Sequence, residues 1–248
     1  MELSMKPFDD FIVPTACMTE KDYLNRPTEV MDIIEYYYGN RYMIANFVKP
    51  DSIFEIGVNA GYSGYAFKLA CPHATYTGVD LNQGTDGGTV GFVENAKRII
   101  PDGRFFIGDS HDLLDSSKWA TNFSPDISEF MHQHYDLVNV DGDHSAEGAY
   151  QDLLVAVHLV SQSGYILIDD LTNLPSTVGE GVLQAAHEGI ISGGLLLQDM
   201  GGQLLIPPDC WHVSDERKVN ILFIKMLKRF MERRDWTLYP HHLGLKHW

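Results

Sequence analysis

An open α/β sheet, mostly parallel and covered by helices on both faces, is the fold this chain predicts. Three observations carry it. Short apolar strand-like runs alternate with stretches of helical periodicity, a tight glycine turn follows the first run, and each run stops close to an acidic residue.

Taken in order, residues 20–38 read as helical with a break at Pro27, where Thr28 can cap a second helix that stops at Gly39. A strand over residues 53–56 runs into the turn, and a helix over 65–70 follows. Further strands fall at 76–79, 104–107, 137–140 and 165–168. Between the last two, Ala146, Ala149, Leu153, Leu154, Val157 and Val160 recur at spacings of three and four and share one helix face, which Gly164 ends before the next strand. Leu195-Leu-Leu-Gln-Asp199 and Gln203-Leu-Leu-Ile206 flank Gly201-Gly202, a pair suited to a tight hairpin. Val219, Leu222, Phe223, Met226, Leu227, Phe230 and Met231 then mark one face of an amphipathic helix, with Lys228, Arg229, Arg233 and Arg234 near its end, where cations complement the dipole. That stripe reads as packing surface, with a homo-oligomer contact as the alternative. The chain thus divides into an N-terminal helical extension (1–50), a core (51–207) and a C-terminal helical extension (208–248). The connections over 81–88 and 119–135 are long enough to be functional loops.

Composition narrows the function. A formal net charge of −16, from 18 Lys+Arg against 34 Asp+Glu, disfavours a nucleic-acid partner by simple charge matching. The three cysteines, Cys17, Cys71 and Cys210, have no metal-type spacing and read as reduced thiols. There is no basic region followed by an apolar run at the start, nor a stretch of about 18 apolar residues. A cytoplasmic protein that does not enter a membrane is expected.

The turn itself is Glu55-Ile-Gly-Val-Asn-Ala-Gly-Tyr-Ser-Gly64. Gly57, Gly61 and Gly64 are separated by four and three positions, whereas the dinucleotide fingerprint separates its glycines by two and three. Asp80 follows Gly57 by 23 positions, a separation that suits an acceptor for ribose hydroxyls. This spacing, with Glu55 ahead of the first glycine, resembles motif I of the class I S-adenosylmethionine-dependent methyltransferases, especially the metal-dependent catechol and caffeoyl-coenzyme A O-methyltransferase group. The resemblance covers roughly residues 52–206 and implies a Rossmann-like fold of seven strands, mostly parallel, closed by a C-terminal antiparallel hairpin. It also implies that Gly108-Asp109-Ser110 supplies polar contacts to adenine, while Asn59, Tyr62 and Ser63 lie by the methionine moiety. Asp109 or Ser110 could instead cap the helix that follows.

Asp141 ends the fourth strand and Asp169-Asp170 ends the fifth, so three carboxylates meet at the sheet edge where open α/β proteins bind ligands. Crowded together they would repel one another unless a cation compensated. Oxygen ligation of this kind suits Mg²⁺, with Mn²⁺ or Ca²⁺ as alternatives. In the caffeoyl-coenzyme A type the matching strands end in Val-Asp-Ala-Asp-Lys and Asp-Asn; here they read Val140-Asp-Gly-Asp-His144 and Asp169-Asp170. The resemblance therefore carries metal ligation onto Asp141, Asp169 and Asp170. His144 in place of lysine and Asp170 in place of asparagine resemble the macrolide-sugar O-methyltransferases, in which the histidine is the candidate base. Asp143 to Ser145 could equally only cap a helix, Asp169-Asp170 could start a turn, and Asn173 is a spare oxygen ligand.

The expected reaction is methyl transfer from S-adenosylmethionine to a hydroxyl of a small molecule, a sugar or phenol of a natural product. Asp141 serves both cofactor and metal, and His144 takes the proton. Tyr36, Tyr37, Tyr38, Tyr42 and Trp211 could line an aromatic pocket. Alternatives are a metal-independent N-methyltransferase, and a nicotinamide-dependent oxidoreductase, which the glycine spacing disfavours.

Overall fold

The computed structural model of this protein describes residues 28–82, 92–172, 176–197, 202–213 and 216–232; of residues 28–37, and of Phe92 and Asn95, only the backbone is described. Seven strands form one sheet: β1 (Ser52–Ile56), β2 (Thr75–Asp80), β3 (Arg104–Ile107), β4 (Tyr135–Val140), β5 (Val160–Ile168), β6 (Leu195–Leu197) and β7 (Gln203–Ile206). Their order is β3-β2-β1-β4-β5-β7-β6, parallel from β3 to β5 and antiparallel where β7 joins β5 and β6. Chain order reverses beside β1, so the carboxyl ends of β1 and β4 flank the crevice where such sheets take ligands.

The helices are α1 (Thr28–Val48), α2 (Tyr62–Ala70), α3 (Phe92–Ile99), α4 (Trp119–Asn122), α5 (Ala146–Leu159), α6 (Val178–His187) and α7 (Ile221–Glu232). Two apolar clusters hold them to the two sheet faces. One joins Ile44 and Ala45 of α1, Phe67 of α2 and Ala96 of α3 to Ile53, Tyr76, Leu137 and Leu167. The other joins Leu153 of α5, Val182 of α6 and Phe223 and Leu227 of α7 to Phe54, Val138, Ile166 and Leu204. Burial of such side chains stabilises each face by about 1.5–3 kcal/mol per large residue.

The structure departs from the sequence-based boundaries in four places. The first helix does not stop at Gly39 but runs to Val48, with Lys49 in the left-handed region (φ +54°) donating its N–H back to the Ala45 carbonyl at 2.7 Å. A glycine inside a helix costs about 1 kcal/mol against alanine, and the burial of Ile44 and Ala45 beyond it outweighs that. Residues 20–27 of the expected extension lie outside the described residues.

Nor does Gly164 divide helix from strand. Val160 turns extended and α5 passes directly into β5, where a Cβ on Gly164 would stand 2.7 Å from the Tyr135 carbonyl oxygen of β4.

The apolar stripe near the C-terminus is split. Phe223, Ile224 and Leu227 are buried, while Val219, Leu222 and Met226 face solvent, because the packed face of α7 is rotated onto Ile224. Arg233 and Arg234 lie outside the described residues.

The 119–135 connection is packed: Trp119, Phe123, Ile127 and Met131 all enter the core. Most of the 81–88 connection lies outside the described residues, as does Gly201 of the hairpin, whose neighbour Gly202 has φ +70°. Cys71 is buried and Cys210 partly buried, both as free thiols, and Cys17 lies outside the described residues. Among the described residues no helix is long and apolar enough to cross a membrane.

Candidate active site

After β1 the chain turns through three left-handed positions, Gly57 (φ +84°), Asn59 (φ +47°) and Gly61 (φ +87°). A Cβ on Gly57 would lie 1.9 Å from the carbonyl oxygen of Asp141, so the absence of a side chain is what lets the turn close against the end of β4. Gly61 opens α2, and a Cβ there would lie 2.7 Å from Ala96 of α3. Its first turn has no side-chain cap, and the dipole there favours an anionic group. Ser63 is buried in that turn, and Tyr62 meets Tyr38 of α1 with ring centroids 5.4 Å apart.

Asp80, half-buried at the end of β2, accepts the Asn59 N–H at 2.8 Å on one oxygen and the Asn82 N–H at 2.6 Å on the other. Each oxygen has a second lone pair, so the carboxylate ties the turn to the following loop and keeps acceptor capacity for further donors. Glu55 lies beneath the turn, completely buried. It accepts the Tyr76 hydroxyl from β2 and Asn139 Nδ2 from β4 at 2.8 Å, which pins three strands together. Burial pushes its carboxyl up to about 8, against the opposing effect of those two hydrogen bonds.

Beyond β3, Asp109 caps a short 3₁₀ turn (Ser110–Leu114) by accepting the His111 N–H at 3.0 Å, which is the capping alternative noted above. Ser110 Oγ donates to Asp152 Oδ1 of α5 at 2.6 Å. Asp152 also accepts the Asp143 N–H at 3.2 Å, and burial pushes its carboxyl up. Of the two residues predicted to contact adenine, Ser110 fastens α5 to the end of β3.

The acidic cluster forms where β4 and β5 end. Asp141 donates its N–H to the Ile56 carbonyl at 2.9 Å and Asp169 donates to the Val140 carbonyl at 3.1 Å, continuing the sheet's ladder past the last strand residues. Asp170 has left the strand geometry, at φ +56°. His144 Nε2 lies 3.6 Å from Asp141 Oδ1 and 3.3 Å from Asp170 Oδ2. One donor atom each from Asp141, His144 and Asp170 fall within 4.8 Å of one another, a set that could hold a metal ion. The Asp141 carboxylate beside the ring raises the His144 pKa above the usual imidazole value; burial opposes this, and Asp170 and Asp143 add to it. Next to His144, Ser145 caps α5 by accepting the Gly148 N–H at 3.0 Å.

Asp169 goes elsewhere. It is ion-paired with Arg41 of α1, with both side chains fully enclosed, and the same guanidinium lies 3.9 Å from Asp141. Sequence reasoning missed Arg41 because the expected helix ended before it. The available signal was a lone cation in the otherwise uncharged run Asn40-Arg-Tyr-Met-Ile-Ala-Asn-Phe-Val48. Tyr38, one helical turn earlier, also enters the site: burial pushes its hydroxyl pKa up, with Arg41 opposing and Asp141 adding. Trp211 does not join them, since its ring nitrogen donates to the Gly164 carbonyl at 3.2 Å. Asn173 and the side chains of Tyr36 and Tyr37 lie outside the described residues.

Residues 54–171 match the model of a methyltransferase-domain family. No curated protein sequence matches the chain. Among solved structures, an O-methyltransferase from Bacillus cereus in complex with S-adenosylhomocysteine is similar at 14% identity, over 79% of this chain and 92% of that one, with a TM-score of 0.55. A methyltransferase from Podospora anserina, also bound to S-adenosylhomocysteine, is similar at 15% identity over 82% of this chain and 99% of that one, with a TM-score of 0.51. The likeness to these two structures is one of fold, in keeping with the sheet order, and the methyltransferase-domain match over residues 54–171 takes in the glycine turn and the ends of β4 and β5.

Proposed function

We propose that this protein transfers the methyl group of S-adenosylmethionine to a hydroxyl of a small molecule, with a divalent ion at the acidic cluster. The observation that carries the reading is the contact between the Gly57 turn and the Asp141 backbone, because it brings the end of β4, and Asp141 with it, beside the turn that the donor is expected to occupy. The two similar structures named above are both bound to S-adenosylhomocysteine, which supports the same crevice as the donor site.

The residues fit both groups. Gly57, Gly61, Asn59, Tyr62 and Ser63 would border the methionine part and Asp80 the ribose, with Asp109 and Ser110 at the adenine end, Asp141 across the turn and Glu55 supporting it from below. S-adenosylmethionine, when bound, supplies a methyl group activated by the positive charge on sulfur. Asp141 and Asp170 offer oxygens to Mg²⁺, Mn²⁺ or Ca²⁺, whose charge would favour the developing alkoxide. His144, exposed and next to both carboxylates, accepts the hydroxyl proton. Tyr38 and Tyr62 wall the crevice, and Arg41 balances part of the acidic charge. An acceptor with two adjacent oxygens, such as a sugar or phenolic natural product, suits a site of this chemistry.

Metal-independent transfer is the second reading, favoured by the cation Arg41 already supplies. Calorimetric titration with S-adenosylhomocysteine and NAD, with and without Mg²⁺, separates the cofactor classes. Labelled methyl transfer to a panel of catechols and sugars, with and without a chelator, then tests the rest. Binding of the homocysteine product and chelator-sensitive transfer to oxygen are expected. Full turnover in chelator would remove the ion, and binding of NAD alone would remove the whole reading.

A further inference from the structure

The geometry points to Arg41 as a positioning residue, a resident cation that holds Asp169 out of the ion-binding set and leaves the ion to Asp141 and Asp170 beside His144. This rests on the proposed ion site and departs from the ligand set that the sequence motif implies. Three observations carry it.

First, Arg41 and Asp169 pair with both side chains wholly enclosed, while Asp141 is partly open and 3.9 Å from the same guanidinium. An enclosed carboxylate paired with a guanidinium cannot be drawn to a second cation without leaving a buried charge unbalanced. Second, Asp169 and Asp170 diverge. Asp169 extends the ladder just past β5 by donating its N–H to the Val140 carbonyl, and the left-handed backbone of Asp170 (φ +56°) then turns the chain away. Asp169 thereby meets α1, whereas Asp170 meets His144 at 3.3 Å. Third, the donor atoms that gather within 4.8 Å belong to Asp141, His144 and Asp170.

Arg41 sits on α1, which packs against α2. The helix next to the glycine turn therefore also sets the charge of the ion site. With Asp169 neutralised, the ion meets two carboxylates in place of three.

Binding of Mn²⁺ alone to the full chain, followed by the loss of the free-ion paramagnetic resonance signal, tests this without any turnover. Asp170→Asn should weaken Mn²⁺ binding by about tenfold or more, the double variant Arg41→Gln with Asp169→Asn, which removes both buried charges together, should stay within about threefold of the wild type, and Arg41→Gln alone should tighten binding by about tenfold as the Asp169 charge becomes available. Arg41→Lys, which keeps the cation, should resemble the wild type. Loss of binding in that double variant as large as in Asp170→Asn would overturn the inference while leaving the ion site standing. If the wild type binds no Mn²⁺ but Arg41→Gln does, the proposed ion falls and the role of Arg41 stands; if neither binds, both fall. Should circular dichroism show Arg41→Gln unfolded, the comparison of the double variant with Asp170→Asn decides.

Discussion

Arg41 and Asp169 form an ion pair in which neither side chain reaches solvent, joining the middle of α1 to the carboxyl end of β5. The pair answers the electrostatic difficulty of three aspartates at one edge: the protein supplies one cation itself. Breaking such a pair from one side leaves an uncompensated buried charge. Asp169→Ala is therefore expected to destabilise the fold by about 3–5 kcal/mol, read as a lower urea midpoint with an unchanged slope. A loss below about 1 kcal/mol would mean the pair is solvated.

Gly57→Ala should be among the most damaging single-methyl changes. The new Cβ would meet the Asp141 carbonyl oxygen at 1.9 Å in a backbone region (φ +84°) that costs an L-residue about 1–2 kcal/mol by itself. Soluble expression with S-adenosylhomocysteine affinity like the wild type's would show that the turn and β4 do not meet as described.

Glu55 makes stability depend on pH in a stated direction. Its folded-state pKa, about 8, is above the value of about 4.3 for an unfolded glutamate. The contribution is therefore full below about pH 4 and is lost progressively as pH rises to about 8. Glu55→Gln keeps the shape and removes the charge, so between pH 5 and pH 8 its melting temperature should fall less than that of the wild type. Parallel melting curves for the two proteins would show that Glu55 is not held as the structure has it.

His144 should set the acid limb of the rate profile. Its pKa is raised by Asp141 in the ion-free protein, and an ion on that carboxylate would oppose the rise, so the rate is expected to fall on the acid side as the ring takes up a proton. His144→Gln should lower kcat by about 10²-fold or more above that limb and flatten the profile. The same raised pKa adds stability below about pH 6.5 that disappears as pH climbs through the folded value. An unaltered pH–rate curve in the variant would assign the proton to another group.

Local chemistry made much of this molecule readable from its sequence. The strands that end at or just before Asp80, Asp141 and Asp169 and the turn from Gly57 to Gly61 follow from apolar runs punctuated by glycine and acid. Misreadings arose where tertiary contacts overrode a local stop. Gly39 carries a helix-ending signal, yet α1 continues because Ile44 and Ala45 pack beneath it and Arg41 finds Asp169. Gly164 likewise sits inside β5 because it needs room against β4, not because a helix ends there. That Asp169 meets Arg41 while Asp170 meets His144 could not be read from adjacency alone, since it depends on one left-handed backbone angle and on a partner 128 positions away from Asp169, at Arg41 (169 − 41).

The most direct test is a crystal of the protein grown with S-adenosylhomocysteine and Mn²⁺, with anomalous scattering recorded for the ion. The account predicts the nucleoside along the Gly57–Gly61 turn with its ribose on Asp80, and an anomalous peak between Asp141 and Asp170 beside His144. A ligand seated away from that turn, or an acidic cluster with no peak at saturating Mn²⁺, would contradict it.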